Sequence, residues 1–236
     1  MKRLGRPDFW TLVTLLGYLI VVLLLVLPLF NIFKFSFLDK DTGALSLSNW
    51  KEFFSKKYYS ASFLNTMFVS IGGTLGTVVL GVPLALFTTR YRIFGRSLLS
   101  TLAVLALLSP PFIGAYSWIM LLGRRGFLRL ALLDLGIQLP PIYGPLGIIL
   151  VYTLHYYPYV FLLTSGALST VDRSLEEAAE NLGAGSWKRF FRVTLPLVLP
   201  SVTAGALIAF MMCLSNFDTP MIIGGNYRCL LYTSPS

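Results

Sequence analysis

The chain has 236 residues, 56% of them hydrophobic and 12% charged, about half the share of charge that a soluble domain carries. A water-soluble monomer is thereby excluded. The net charge of +9 does not point to nucleic acid, because the basic residues lie between apolar runs rather than along one basic helix. Flanks facing anionic membrane lipid explain them better.

Five stretches hold no Asp, Glu, Lys or Arg: residues 9–33, 58–89, 97–123, 135–171 and 193–217. Each exceeds the roughly 20 residues a helix needs to cross a ~30 Å hydrocarbon layer. The expected fold class is an all-α membrane protein, a polytopic helical bundle with five visible spans. The first span, about 9–30, follows Lys2, Arg3 and Arg6 in a cytosolic N-terminus, 1–8. Its apolar core is longer than the ~7 to 15 residues of a signal peptide, and Pro28-Leu29-Phe30-Asn31 offers no small-residue cleavage site. It is read as a retained anchor. A mixed-charge loop follows, and then spans at about 63–88, 98–122, 146–168 and 197–223. Within the second, the closely spaced Gly72, Gly73, Gly76 and Gly81 mark close helix packing. Alternation places Arg90, Arg92, Arg96 and the loop 169–196 in the cytosol. Lys and Arg are nearly balanced across the two sides, and the short loop from Arg90 to Arg96 is the clearest inside segment.

The most strongly helix-specified polar segment lies between the fourth and fifth spans, from Val171 to Gly183. Ser174 and Glu177 read as a capping box, three glutamates sit in the early turns where the helix dipole favours them, and Gly183 suits the left-handed residue that closes a helix. Leu175, Ala178, Ala179 and Leu182 share one face, opposite Glu176 and Glu180. About two turns of helix are not stable alone in water, so tertiary packing or a partner must hold them. The residues alone admit both a solvated helix lying on its own protein and a docking element. Beyond it, Lys188, Arg189 and Arg192 are expected to snorkel to the inner lipid surface. Pro196 and Pro200 predict a fifth span that is bent in its first turns or starts after Pro196.

Glu177-Ala178-Ala179, three residues, Gly183, nine residues, then Val193-Thr194-Leu195-Pro196 resembles the cytoplasmic motif of permease subunits of binding-protein-dependent ABC importers. The one departure is Val193, where isoleucine is commoner. The resemblance extends over most of the chain, through Leu47-Ser48-Asn49-Trp50, Asn65-Thr66, Tyr116-Ser117-Trp118, Leu122-Gly123-Arg124 and Tyr157-Pro158-Tyr159. It implies a type I importer permease in a bacterial or archaeal cytoplasmic membrane, with a transmembrane permease domain over 9–225. It also implies that Glu177, Ala178, Ala179, Gly183, Leu195 and Pro196 form the coupling contact with an ATP-binding cassette subunit. That subunit would hold ATP and Mg. A second permease subunit, identical or different, and a periplasmic or lipid-anchored solute-binding protein complete the implied partners. This chain has no glycine-rich loop ending in Gly-Lys-Ser or Gly-Lys-Thr, so it is expected to be a transport subunit with no catalytic residues and no cofactor of its own. Trp118, Leu122-Gly123-Arg124 and Tyr157-Pro158-Tyr159 look most like the ferric-iron branch, with the polyamine branch next. The family's usual sixth span is expected to be missing, and 226–236 departs from the family pattern as a non-native or truncated tail of a longer permease.

Ionisable groups at membrane depth ask for a function. His155, Asn216 and Asp218 are the candidate translocation-path residues, and interfacial residence among the tyrosines is the other reading of His155 and Asp218. One histidine makes no metal site, Cys213 and Cys229 form no metal-type or redox-type pair, and no carboxylate pair lies within the spans. Two other classes stand beside the importer: a secondary transporter, which would need coupling-ion groups or an inverted repeat, and a non-transporting assembly protein, which would need no coupling helix.

Overall fold

A computed structural model describes residues 9–39, 43–91, 94–138, 142–225, 227 and 229, in two compact units, Met1–Ser60 and Ala61–Ser236. The expected N-terminal segment 1–8 and most of the expected tail 226–236 lie outside the described residues. Among those described, the regular elements are all helices, with one isolated antiparallel bridge between Leu38 and Leu45.

The first unit is built on α1 (Phe9–Ser36) and α2 (Ser48–Ser55). Asn49 of α2 donates its side-chain amide to the carbonyls of Phe35 at 3.2 Å and Leu38 at 2.8 Å, satisfying acceptors that the end of α1 leaves open. A π-turn at Val22–Val26 interrupts α1 two residues before Pro28. The proline ring crowds the carbonyl four residues back, and the wider turn relieves that crowding.

The second unit packs around α7 (Pro145–Thr170), with α3 (Lys57–Arg90) on one side and α9 (Ser186–Ser215) on another. The stripe of α3 that turns inward is made of small residues: Thr66, Ser70, Gly73, Thr77, Gly81, Ala85 and Thr88. Thr66, Thr77 and Thr88 donate their hydroxyls to carbonyls three or four residues back on their own helix, so these three pack with their hydrogen bonds met. A Cβ on Gly73 would stand 2.8 Å from that of Tyr152, and one on Gly81 3.1 Å from the Phe161 amide nitrogen. The glycine-rich second stretch therefore marks close helix packing, as its spacing predicts. Two apolar cores lie along α7: one around Val151, Tyr152 and Tyr156, the other around Val160, Phe161 and Leu168.

Among the described residues, four helices are long and apolar enough to cross a membrane, or five if one bent pair counts as a single span. That pair is the stretch expected as one span at 98–122. It consists of α4 (Arg96–Leu108) and α5 (Pro111–Leu122), continuing into α6 (Phe127–Asp134), with a bend of 109° between the halves. Ser109 and Pro110 each precede a proline and take extended ψ values of 129° and 136°, which no helix can accommodate.

The stretch at 197–223 also differs from one simple helix. α9 begins at Ser186, well before Pro196, and a π-turn at Phe190–Thr194 again ends two residues ahead of the proline. At the far end Asn216 is extended (ψ 117°), and a separate helix, α10 (Asp218–Ile223), follows.

Candidate functional site

α8 (Arg173–Asn181) connects α7 to α9. Its N-cap is Asp172, which accepts the Ser174 N–H at 2.9 Å, not Ser174 as the capping-box spacing suggested. The helix starts one residue before Ser174, so the serine is already inside the first turn. The backbone hydrogen bond holds the Asp172 carboxyl below its ordinary value. A carboxyl depressed in the folded state contributes stability above its unfolded pKa and loses it as pH falls through the folded one. The first turn of α8 is therefore expected to persist down to about pH 4 and to fray below it. Amide hydrogen exchange at Ser174, whose N–H makes that bond, reads this directly. Protection unchanged between about pH 5 and about pH 3 would remove Asp172 as the cap.

Gly183 closes the helix at φ +79°, the left-handed region that its absent side chain permits. The Ala184 N–H reaches the Ala179 carbonyl at 3.0 Å and the Gly183 N–H reaches that of Glu180 at 2.8 Å, the paired bonds of a Schellman stop.

The faces of α8 are turned opposite to what a helix resting on its own protein would show. Leu175 is 49% and Leu182 89% exposed, and Glu177, Ala178 and Gly183 are exposed beside them. Of the acidic face, Glu176 turns inward while Glu180 stays largely exposed. Glu176 lies 2.9 Å from Nη2 of Arg90 at the end of α3, and the Thr194 hydroxyl donates to Glu176 Oε1 at 2.9 Å. Glu180 pairs with Arg189, so this arginine is committed to a carboxylate instead of snorkelling alone. The side chains of Arg90 and Glu176 are 10% and 17% exposed, which sets this pair apart from an ordinary surface bridge. Both residues are half-buried beside a cavity, so removing one member costs less than the roughly 3–5 kcal/mol of a fully buried pair. A cavity of about 540 Å³ lies against these groups, lined by Leu86, Phe87, Arg90, Glu176, Trp187 and Phe190. Leu195 and Pro196 sit apart from the exposed face of α8, in α9 just after the π-turn, with Leu195 half-buried and Pro196 exposed.

The path candidates gather elsewhere. Asn216 is buried at the break between α9 and α10, where its amide donates to the Tyr156 hydroxyl at 2.8 Å and its side-chain oxygen accepts the Thr219 N–H at 2.9 Å. The Tyr152 hydroxyl donates to the Asn216 carbonyl at 3.3 Å. His155 is half-buried, edge-on to Tyr156 with ring centres 4.9 Å apart, and faces Gly114 of α5. Asp218 is half-buried at the first position of α10. Tyr156 thus joins His155 and Asn216 into one cluster, and the Asn216 side chain is spent on holding the helix break. Replacing Asn216 with alanine strands the Thr219 N–H and the Tyr156 hydroxyl, at an expected cost of about 1–3 kcal/mol. A lowered thermal midpoint in detergent checks this, with Asn216→Asp, which keeps the capping oxygen, expected to fall less.

Arg90 and Thr194 carried no site signal in the sequence. One reads as a loop-flanking cation and the other as part of a motif, and only folding brings both to Glu176.

Residues 77–230 match the family described as binding-protein-dependent transport system inner membrane component. The chain is 28% identical over 214 residues to a ferric transport system permease protein of Actinobacillus pleuropneumoniae, covering 89% of this chain and 30% of that protein. It is also 28% identical over 228 residues to a spermidine/putrescine transport system permease protein of Escherichia coli, covering 93% and 82%. The chain spans about a third of the length of the ferric transport permeases it matches. Its fold matches a chain of a bacterial alginate ABC transporter in complex with an alginate pentasaccharide-bound periplasmic protein, with a TM-score of 0.72 at 18% identity, over 95% of this chain and 79% of that one.

Proposed function

We propose, from the premise that this chain belongs to the family of binding-protein-dependent transport system inner membrane components, that it is the multi-pass permease of an ATP-driven importer. The observation that carries this reading is the outward apolar face of α8, with Leu175, Ala178 and Leu182 exposed and the acidic face tied to α3 and α9. Exposed apolar side chains on a short, doubly stopped helix suit a groove on another protein. The partner at that face is an ATP-binding cassette subunit, which holds ATP and Mg and does the hydrolysis. A second permease subunit and an external solute-binding protein complete the machine, in a bacterial or archaeal cytoplasmic membrane.

The solute is ferric iron, with a polyamine as the second candidate. Relatives of both kinds support these two candidates, and the segments around Trp118 and Tyr157 put iron first. His155, Asn216 and Asp218 are the path residues, with Asn216 also holding the break before α10.

Leu182→Arg in the whole transporter tests the reading. The substitution places a charge where an apolar contact is required, so the ATP-binding subunit should fail to copurify and uptake should be lost while the amount of permease stays unchanged. Full copurification and full uptake would overturn it. Uptake of ferric iron against spermidine in cells carrying the cognate binding protein decides the solute. Spermidine uptake without iron uptake would put the polyamine first.

A further inference from the structure

We infer that Glu176 is a positioning residue through which movement of α8 reaches two membrane helices at once. The inference rests on the proposed contact between α8 and an ATP-driven partner, and goes beyond it by naming the joint that passes the motion on. A single carboxylate oxygen, Oε1, lies 2.9 Å from Arg90 Nη2 and accepts the Thr194 hydroxyl at 2.9 Å. Arg90 is the last residue of α3, and Thr194, 3% exposed, ends the π-turn through which α9 begins. One oxygen therefore joins three elements.

The surroundings make this joint the route for force. Leu175, Ala178 and Leu182 of the apolar face are exposed and Ala179 is half-buried, so that face packs only in part against the rest of the chain. Between the three elements lies the cavity of about 540 Å³, where a packed core would otherwise transmit displacement. The second tie, Glu180 to Arg189, joins α8 to the first turn of α9 alone. Its carboxylate side chain is 66% exposed, so water and salt screen it. The π-turn that holds Thr194 departs from the regular hydrogen-bond ladder, which suits a place where a helix changes course. Glu177, next in sequence, is exposed and takes no part in the joint.

The test uses the whole transporter in proteoliposomes, with its binding protein, and reads two quantities: copurification of the ATP-binding subunit, and solute moved per ATP hydrolysed. Glu176→Gln should leave copurification intact and lower solute moved per ATP by roughly tenfold, the usual size of a coupling between sites. Arg90→Gln should do the same. The double variant should be no worse than either single one, because both remove the same joint.

Unchanged transport per ATP in Glu176→Gln would overturn the inference. Loss of copurification would also overturn it, by making Glu176 a contact with the subunit. Should Glu176→Gln fail to accumulate, Thr194→Val removes only the hydrogen bond at similar volume. It should lower transport per ATP severalfold, and no change would again refute the joint. Leu182→Arg separates the two levels. If it leaves copurification and uptake intact, the reading of α8 fails; if it abolishes both while Glu176→Gln changes nothing, only the joint fails.

Discussion

Replacing Gly205 with leucine is expected to abolish accumulation of folded protein. A Cβ at this position would stand 2.8 Å from the Val160 Cα, 3.2 Å from the Tyr159 carbonyl oxygen and 3.3 Å from the Val160 nitrogen. All three are backbone atoms of α7, so no side-chain rotation relieves the clash. The contrast with α3 is informative. At Gly72 the obstacle is the far end of the Ile149 side chain, which can turn aside.

Overpacking usually costs about 1–3 kcal/mol, and a clash with backbone between the two helices that frame the second unit belongs at or beyond the top of that range. Size-exclusion profiles in detergent should show loss of the monodisperse peak for Gly205→Leu. Gly166→Leu, on α7 with nothing within 4 Å of its added Cβ, should keep the peak. A Gly205→Leu protein that runs and melts like the parent would show that α7 and α9 do not meet as closely as 2.8 Å implies.

Gly183→Val is expected to lower ATP-dependent uptake by about tenfold or more through two separable effects. The first is local. At φ +79° a β-branched residue is strained, with a left-handed conformation costing about 1–2 kcal/mol even for an ordinary side chain, so the Schellman stop opens and the end of α8 frays. The second belongs to the partner. Within this chain nothing lies within 4 Å of a Cβ built on Gly183, so a side chain there meets open space unless another protein approaches.

Gly183→Asn separates the two effects, because asparagine tolerates the left-handed region. Hydrogen exchange over residues 176–183 should be raised in the valine variant and near normal in the asparagine variant, while uptake falls by about tenfold or more in both. Full uptake with asparagine would mean that Gly183 serves only to end the helix, with no close approach at that point.

The amino-acid sequence by itself determined that this is a membrane protein. The length of an uncharged stretch and the thickness of a bilayer are both local quantities, so residues 58–89 and 135–171 announce α3 and α7 without any knowledge of their neighbours. It also determined that residues near 175–183 form a helix ended by Gly183, since left-handed glycine and helical period act over a few residues. The family too was legible, in the spacing from Glu177 to Pro196.

Tertiary structure decided the rest. It divided 98–122 at Ser109-Pro110, moved the cap from Ser174 to Asp172, spent the Asn216 side chain on the break before α10, and turned the leucines of α8 outward. Above all it brought Arg90 and Thr194 to the same oxygen of Glu176. The amphipathic pattern of α8 says that two faces differ but not which one the protein keeps. The structure shows which: Glu176 faces Arg90 and Thr194, whose positions depend on how α3 and α9 pack against α7.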